Sequence, residues 1–192
     1  MEKRRLLIHI CCAPDAAYVI GLLRAEFDVS GFFYNPNIHP AEEYSLRLEE
    51  MRQVGRILQV PLLEGAYDAA EWFKRTEGLE GEPEKGRRCD VCYSLRLEKT
   101  ARLASEQSFD VFTTIMSLSP WKKADVLNRL GGELGRACGT TFLEADYKKK
   151  DGFRKSIELS RRLGLYRQNY CGCIYSLKNR ETAPTKKGAG QS

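Results

Sequence analysis

Leu6-Leu7-Ile8-His9-Ile10-Cys11-Cys12-Ala13-Pro14-Asp15 is the stretch on which the fold turns. Residues 6–10 predict a buried β-strand, which runs into two adjacent cysteines, a proline and an acid. The apolar run behind them, 16–23 and on to 27, predicts a helix. Open α/β proteins place their ligands where a strand ends in a tight turn before a helix. This turn has no glycine-rich phosphate cradle. It carries two thiols and a carboxylate, soft and hard metal ligands respectively.

Working outward, the first helix is expected to start at Asp15, with the carboxylate as its cap, and to run to about Glu26. A second strand is expected over 29–34, ended by the turn signal Asn35-Pro36-Asn37. A second helix follows Pro40, with Tyr44, Leu48, Met51, Val54 and Leu58 in helical period. Pro61 closes it, and a short strand covers 62–64. A helix over 67–75 and an exposed, charged loop over 77–88 lead to Cys89-Asp90-Val91-Cys92. That motif is expected just ahead of a helix over 93–104. A strand over 109–116, a helix from Ser119-Pro120 through Leu134, a last strand over 140–144 and a helix over 153–163 complete the series, with Gly164 as the final cap. Strands alternating with helices predict an α/β fold, a three-layer sandwich with a mostly parallel sheet. A single catalytic domain is expected over 1–180, and 181–192 reads as a disordered tail.

The 192 residues suffice for one full hydrophobic core. Apolar residues make up 42% and charged residues 30%, ordinary soluble usage. No run is long enough to span a membrane and no export signal is visible, so a cytoplasmic protein with no membrane partner is expected. The net charge of +5 alone decides little. Its basic runs (3–5, 85–88, 122–123, 148–150, 186–187) allow a polyanion partner, and solvated surface faces explain them equally.

Seven cysteines without an export signal point to metal or redox chemistry rather than a disulfide framework. Six fall in three motifs: Cys11-Cys12, Cys89-x-x-Cys92 and Cys171-Gly172-Cys173. At the start of a helix, the free amides favour the thiolate of a C-x-x-C motif. Such a motif is half a zinc site, a thioredoxin-like dithiol, or half an iron–sulfur site. With Cys11 and Cys12 the count becomes four thiolates, which suits zinc or an iron–sulfur cluster. A cluster accepts the spread of an adjacent pair more readily than one tetrahedral ion does.

Asp15 is either a helix cap or a hard ligand to a second metal, and Asp90 is a weaker candidate for that ligand. Cys171 and Cys173 are too close in sequence for an unstrained disulfide, so they form a labile redox pair or a chelate. His9 reads as a satisfied core histidine and His39 as a turn residue. Trp121, with Lys122 and Lys123, is either a base-stacking residue or the anchor of a helix start.

Three segments together resemble the QueH family of cobalamin-independent epoxyqueuosine reductases: His9-Ile10-Cys11-Cys12-Ala13-Pro14, Arg88-Cys89-Asp90-Val91-Cys92-Tyr93 with Leu95-Arg96-Leu97, and Tyr170-Cys171-Gly172-Cys173 with Ser176. The resemblance runs from the first strand to about Lys178. It implies two-electron deoxygenation of epoxyqueuosine to queuosine at the tRNA wobble position, the last step of queuosine biosynthesis. It also implies an adenine-nucleotide α-hydrolase (HUP)-like fold and a [4Fe–4S] cluster on Cys11, Cys12, Cys89 and Cys92. An adjacent mononuclear iron would share some of these thiolates and take Asp15, with Cys171 and Cys173 as the third motif. No nicotinamide or flavin fingerprint is present, so an external electron donor is expected. The basic runs would hold the anticodon stem-loop, and a flipped base would enter the crevice.

Other readings remain. A zinc-stabilised RNA-binding module would have no redox activity. A tRNA thiolation enzyme would need a Ser-Gly-Gly phosphate loop where Cys12-Ala13-Pro14-Asp15 stands. A thioredoxin-like oxidoreductase would leave Cys11 and Cys12 without a role.

Overall fold

The computed structural model describes residues 2–181. Five strands form one sheet in the order β3-β2-β1-β4-β5, with every pair parallel. They are β1 (Arg4–Ile10), β2 (Phe27–Phe33), β3 (Leu62–Glu64), β4 (Val111–Thr114) and β5 (Thr141–Phe142). The central strand is β1. Leu6 stands opposite Val29 of β2 on one side and Val111 of β4 on the other.

The pleat of β1 sorts its side chains between two layers. Leu6, Ile8 and Ile10 join a core with α1 (Ala13–Leu23) and α2 (Ala41–Leu58). Leu7 joins Phe112 and the apolar face of α4 (Arg87–Glu106) on the opposite side, where α5 (Ala124–Cys138) also packs. Leu6, Leu7, Ile8 and Ile10 are fully buried, which explains the continuous apolar run: a parallel strand covered on both faces has no polar side. The three-layer α/β expectation is borne out.

Parallel order places the carboxyl ends of all five strands along one edge. The chain leaves β1 toward β2 on one side, and β4 pairs on the other. The crevice between these exits is the topological switch point, and Cys11 and Cys12 stand there.

Several expected boundaries shift. α1 begins at Ala13 with Cys12 as its N-cap and Pro14 in the first turn. Asp15 is therefore inside the first turn, not the cap, and its carboxylate is turned to other partners. α4 begins at Arg87, so Cys89 and Cys92 lie inside the helix, not ahead of it. The Glu82 carboxylate accepts the Arg87 N–H at 3.1 Å and opens the helix early. The Arg88 guanidinium is buried, donating to the carbonyls of Leu79, Glu80 and Glu82.

β4 passes into a 3₁₀ turn, Ile115–Leu118, and α5 starts only at Ala124, after Ser119-Pro120 rather than at it. α5 continues to Cys138, with Gly139 as its left-handed cap. α3 (Ala69–Arg75), α6 (Gly152–Arg162) and α7 (Ile174–Glu181) complete the fold. α7 falls where no helix is expected from the sequence; Glu181 ends it, and the rest of the expected tail, 182–192, lies outside the described residues.

Candidate active site

A cleft of about 460 Å³ opens at the carboxyl edge of the sheet. Cys11, Asp15, Lys122, Arg167, Tyr170 and Cys171 line it. A larger cavity of about 700 Å³ lies at the amino ends of β1 and β2, between Lys3, Arg4 and Asp28. It holds no thiol and is on the wrong edge for an α/β ligand site, so the smaller cleft is the chemically equipped one.

Two of the three cysteine motifs reach this cleft directly, through Cys11 and Cys171. Cys89 and Cys92 are not on its lining, and Cys89 is near enough to feel the charge of Cys171. Cys11 is half-buried on the wall and Cys12 is buried behind it. The Cys12 thiol donates to the Cys11 sulfur, and this, with the nearby charges of Lys122 and Arg96, pulls Cys11 down to about 6 against the opposing effects of burial and Asp15. The same hydrogen bond and burial push Cys12 well above the usual thiol range. The pair thus gives up its first proton early and its second late.

Cys89 and Cys92 come from successive turns of α4. Burial, with the charges of Cys171 and Cys92, raises the Cys89 thiol, although the Lys85 N–H donates to its sulfur at 3.3 Å. The expected thiolate-favouring effect of the helix end is outweighed by this burial. Asp90 is in the first turn of α4 and does not line the cleft.

Cys171 and Cys173 arrive on a C-terminal segment that folds back over the β2–α2 loop. The Arg47 guanidinium, buried and paired with Glu43 at 2.7 Å, donates to the carbonyls of Cys171 and Tyr170. The His39 N–H donates to the Gly172 carbonyl at 2.7 Å. The Ser176 hydroxyl accepts the Cys171 N–H at 3.1 Å. Burial and the Cys171 charge push Cys173 up to about 12. All seven cysteines are free thiols, and Cys138 stands apart, packed against the core at the end of α5.

Two arginines and a lysine supply the positive field. Arg96 is 1% exposed. Its Nη1 lies 3.6 Å from the Cys92 sulfur, its Nη2 2.8 Å from the Met116 sulfur, and its Nε 3.4 Å from His9 Nε2. No carboxylate is among these partners. Burial opposes its charge, but the sulfurs of Cys92, Cys11 and Cys171 outweigh that cost and raise its pKa. Lys122 behaves in the same way: Cys171 and Cys11 hold its ammonium charged against burial. Arg167 donates to the Asp15 carboxylate at 3.1 Å, and Ser156 donates to the same oxygen at 3.4 Å. Arg167 Nη1 is buried with no partner.

His9 is the satisfied core histidine expected. Its Nε2 lies 3.1 Å from the Tyr34 carbonyl and its Nδ1 3.0 Å from the Thr114 hydroxyl. Burial and Arg96 keep it neutral.

Among the described residues, no three Cys, His, Asp or Glu side chains close on a single point as one metal ion requires. Cys11 and Cys171 are the cysteines on the wall of the crevice. In the sequence, Arg96 stands only in the Leu95-Arg96-Leu97 stretch of the resemblance, with no role, and nothing points to Arg167. The pattern that betrays Arg96 is its spacing: Cys92, Arg96 and Thr100 follow at four-residue steps on the buried stripe of α4.

An all-parallel α/β sheet whose carboxyl edge carries a cleft lined by Cys11, Cys171, Lys122 and Arg167 defines the class: an α/β protein with a thiol-bearing site at the switch point. A family model described as "Epoxyqueuosine reductase QueH" matches residues 6–179. A protein of that name from Histophilus somni is 38% identical over 177 residues, covering 91% of this chain and 73% of the relative. One from Acinetobacter baylyi is 39% identical, covering 91% and 81%, and one from Thermotoga maritima is 35% identical, covering 91% of each. The chain belongs to the QueH family of epoxyqueuosine reductases. It is an oxidoreductase of queuosine biosynthesis, as the resemblance of its cysteine motifs implied. No helix among the described residues is long and apolar enough to cross a membrane.

Proposed function

We propose that this chain removes the epoxide oxygen of epoxyqueuosine at the wobble position of tRNA, using a [4Fe–4S] cluster on Cys11, Cys12, Cys89 and Cys92 and an adjacent iron bound through Asp15. The observation that carries the cofactor reading is Arg96. A fully buried guanidinium needs an anion, and its surroundings offer sulfurs rather than carboxylates. An anionic metal–thiolate centre supplies that counter-charge, and soft thiols from two elements fit a cluster wider than one ion. When bound, such a centre supplies a relay for single electrons and a Lewis acid toward the epoxide oxygen.

The chain's own residues supply the rest. Deoxygenation consumes two electrons and two protons and releases an alkene and water. Cys171 and Cys173, closing to a disulfide, release two electrons and two protons, which balances one turnover. A disulfide between residues this close is strained, hence labile and readily reopened by an external electron donor. Arg167 holds the Asp15 carboxylate toward the cleft and places a cation on its wall. Lys122 keeps positive charge over the same space. The basic runs hold the anticodon stem-loop by its phosphates while the modified base is turned into the cleft. A tRNA substrate also supports the cytoplasmic reading.

The test is anaerobic purification with iron, sulfide and zinc analysis, a visible spectrum, and turnover on tRNA carrying epoxyqueuosine. Several irons per chain with broad absorption in the blue are expected, lost in Cys12→Ala and Cys89→Ala. Full iron in those variants would refute the ligand assignment. A colourless protein holding one zinc would favour the RNA-binding module instead.

A further inference from the structure

We propose that Trp121 is a stacking platform for an unpaired tRNA base next to the reacting nucleotide. This rests on the reading that the epoxide arrives on tRNA. The protein has two tryptophans of opposite character: Trp72 is 1% exposed and Trp121 is 63% exposed. Trp121 does not anchor a helix start, because α5 begins three residues later, at Ala124. It occupies the turn after the 3₁₀ segment, on the lining of the cleft that holds Cys11, Asp15 and Cys171.

Its surroundings select the partner. The Lys85 ammonium stands 5.4 Å from the indole centroid, which leaves most of the ring open. Lys122 and the exposed Lys123 follow directly in sequence. Arg167 and Arg180 face the same cleft, against the acids Asp15 and Glu84. An open aromatic face among cations fits single-stranded nucleic acid, whose bases stack while its phosphates meet the charges. An apolar partner surface would leave these cations without counter-charge. The Lys85 contact also brings two sequence-distant loops, at 85 and 121, together, so a base stacked there lies against the cleft wall.

The two tryptophans give a direct reporter. Acrylamide reaches Trp121 and not Trp72, so quenchable emission reads Trp121. In the full chain, a hairpin RNA with the substrate's anticodon stem-loop sequence is expected to protect that emission. A fully paired duplex of equal length is expected not to. With tRNA substrate, Trp121→Ala lowers kcat/KM about tenfold or more, carried by KM, the scale of one lost base stack. Trp121→Phe recovers most of the loss, because any aromatic face serves.

Hairpin binding, read by anisotropy, without protection of Trp121 would overturn the stacking role and leave the tRNA reading intact. A Trp121→Ala effect within twofold would do the same. No hairpin binding at all would overturn both. Protection that grows with protein concentration in the absence of RNA would overturn the proposal in favour of a contact between copies of the chain.

Discussion

Arg96 and Cys92 sit one turn apart on α4, and the guanidinium Nη1 stands 3.6 Å from the thiol sulfur. The arginine is buried without a carboxylate partner, and sulfurs hold its charge instead. Arg96→Met keeps the length and removes the charge. The metal-free variant is expected to be less stable than the parent, because the sulfurs of Cys92, Cys11 and Cys171 lose the cation they hold. The loaded protein is expected to show a midpoint potential lower by at least about 59 mV, one tenfold step for a single electron, because a nearby cation favours the reduced form. Denaturant titration and spectroelectrochemistry read the two effects. A large loss of metal-free stability with no change in potential would mean that Arg96 serves packing only.

Gly172 fixes the geometry of the third cysteine motif. Its φ is +118°, and a Cβ there would meet Ile38 Cγ1 at 3.0 Å and Arg47 Nη1 at 3.2 Å. Gly172→Ala is expected to cost about 1–3 kcal/mol, the scale of a strained backbone position. Because Cys173 is buried in the parent, its reaction with a thiol reagent should accelerate as the turn loosens. Unchanged stability together with unchanged thiol reactivity would show that the Cys-Gly-Cys turn tolerates a side chain.

His39 makes stability depend on pH. Its Nδ1–H donates to the Asn37 carbonyl at 2.7 Å, so the proton sits there and Nε2 is bare. That Nε2 is buried with no partner, and the ring packs on Trp72 and Phe73. Burial therefore holds its pKa below the usual 6.5. Above 6.5 both folded and unfolded chains are neutral at this site. As pH falls below 6.5 the unfolded chain takes the proton first, and stability is lost until the folded value is reached. The slope from one such group is at most about 1.4 kcal/mol per pH unit. Denaturant unfolding between pH 7.5 and 5.5 should show a shallower slope in His39→Gln than in the parent. Equal slopes would mean that His39 protonates freely in the folded state.

The residues most readable in advance were those whose chemistry is local. The strand into Cys11-Cys12 and the short β3 follow from apolar runs cut by turn residues, and the observed β3 covers 62–64 as expected. The start of α4 was less readable. Arg87 and Arg88 look like solvated loop by charge, yet three backbone carbonyls bury Arg88. Asp15 reads as a cap by propensity, but Cys12 takes that position and Arg167, 152 residues onward, claims the carboxylate. A partner so far along the chain leaves no trace in local pattern. α7 is hidden for a related reason: its surroundings come from the folded-back C-terminal segment, not from a strong periodic face of its own.

Asp15 separates the two metal roles. Its side chain is 10% exposed and held by Arg167, itself 25% exposed. Asp15→Asn preserves the volume and removes the charge, so Arg167 loses its anionic partner. A cost of about 1–3 kcal/mol is expected, because the pair is largely shielded and a donor is left without its anion. If Asp15 also binds the second iron, the purified variant should keep its broad visible absorption, contain about one iron fewer per chain, and lose turnover on epoxyqueuosine-containing tRNA. Arg167→Ala is the control. It frees the carboxylate without removing it, so iron content should hold while the KM for substrate rises through loss of a cation from the cleft wall. If Asp15→Asn and Arg167→Ala lose stability alike and Asp15→Asn keeps full iron and turnover, Asp15 is a structural ion-pair partner and the second iron takes its ligands elsewhere.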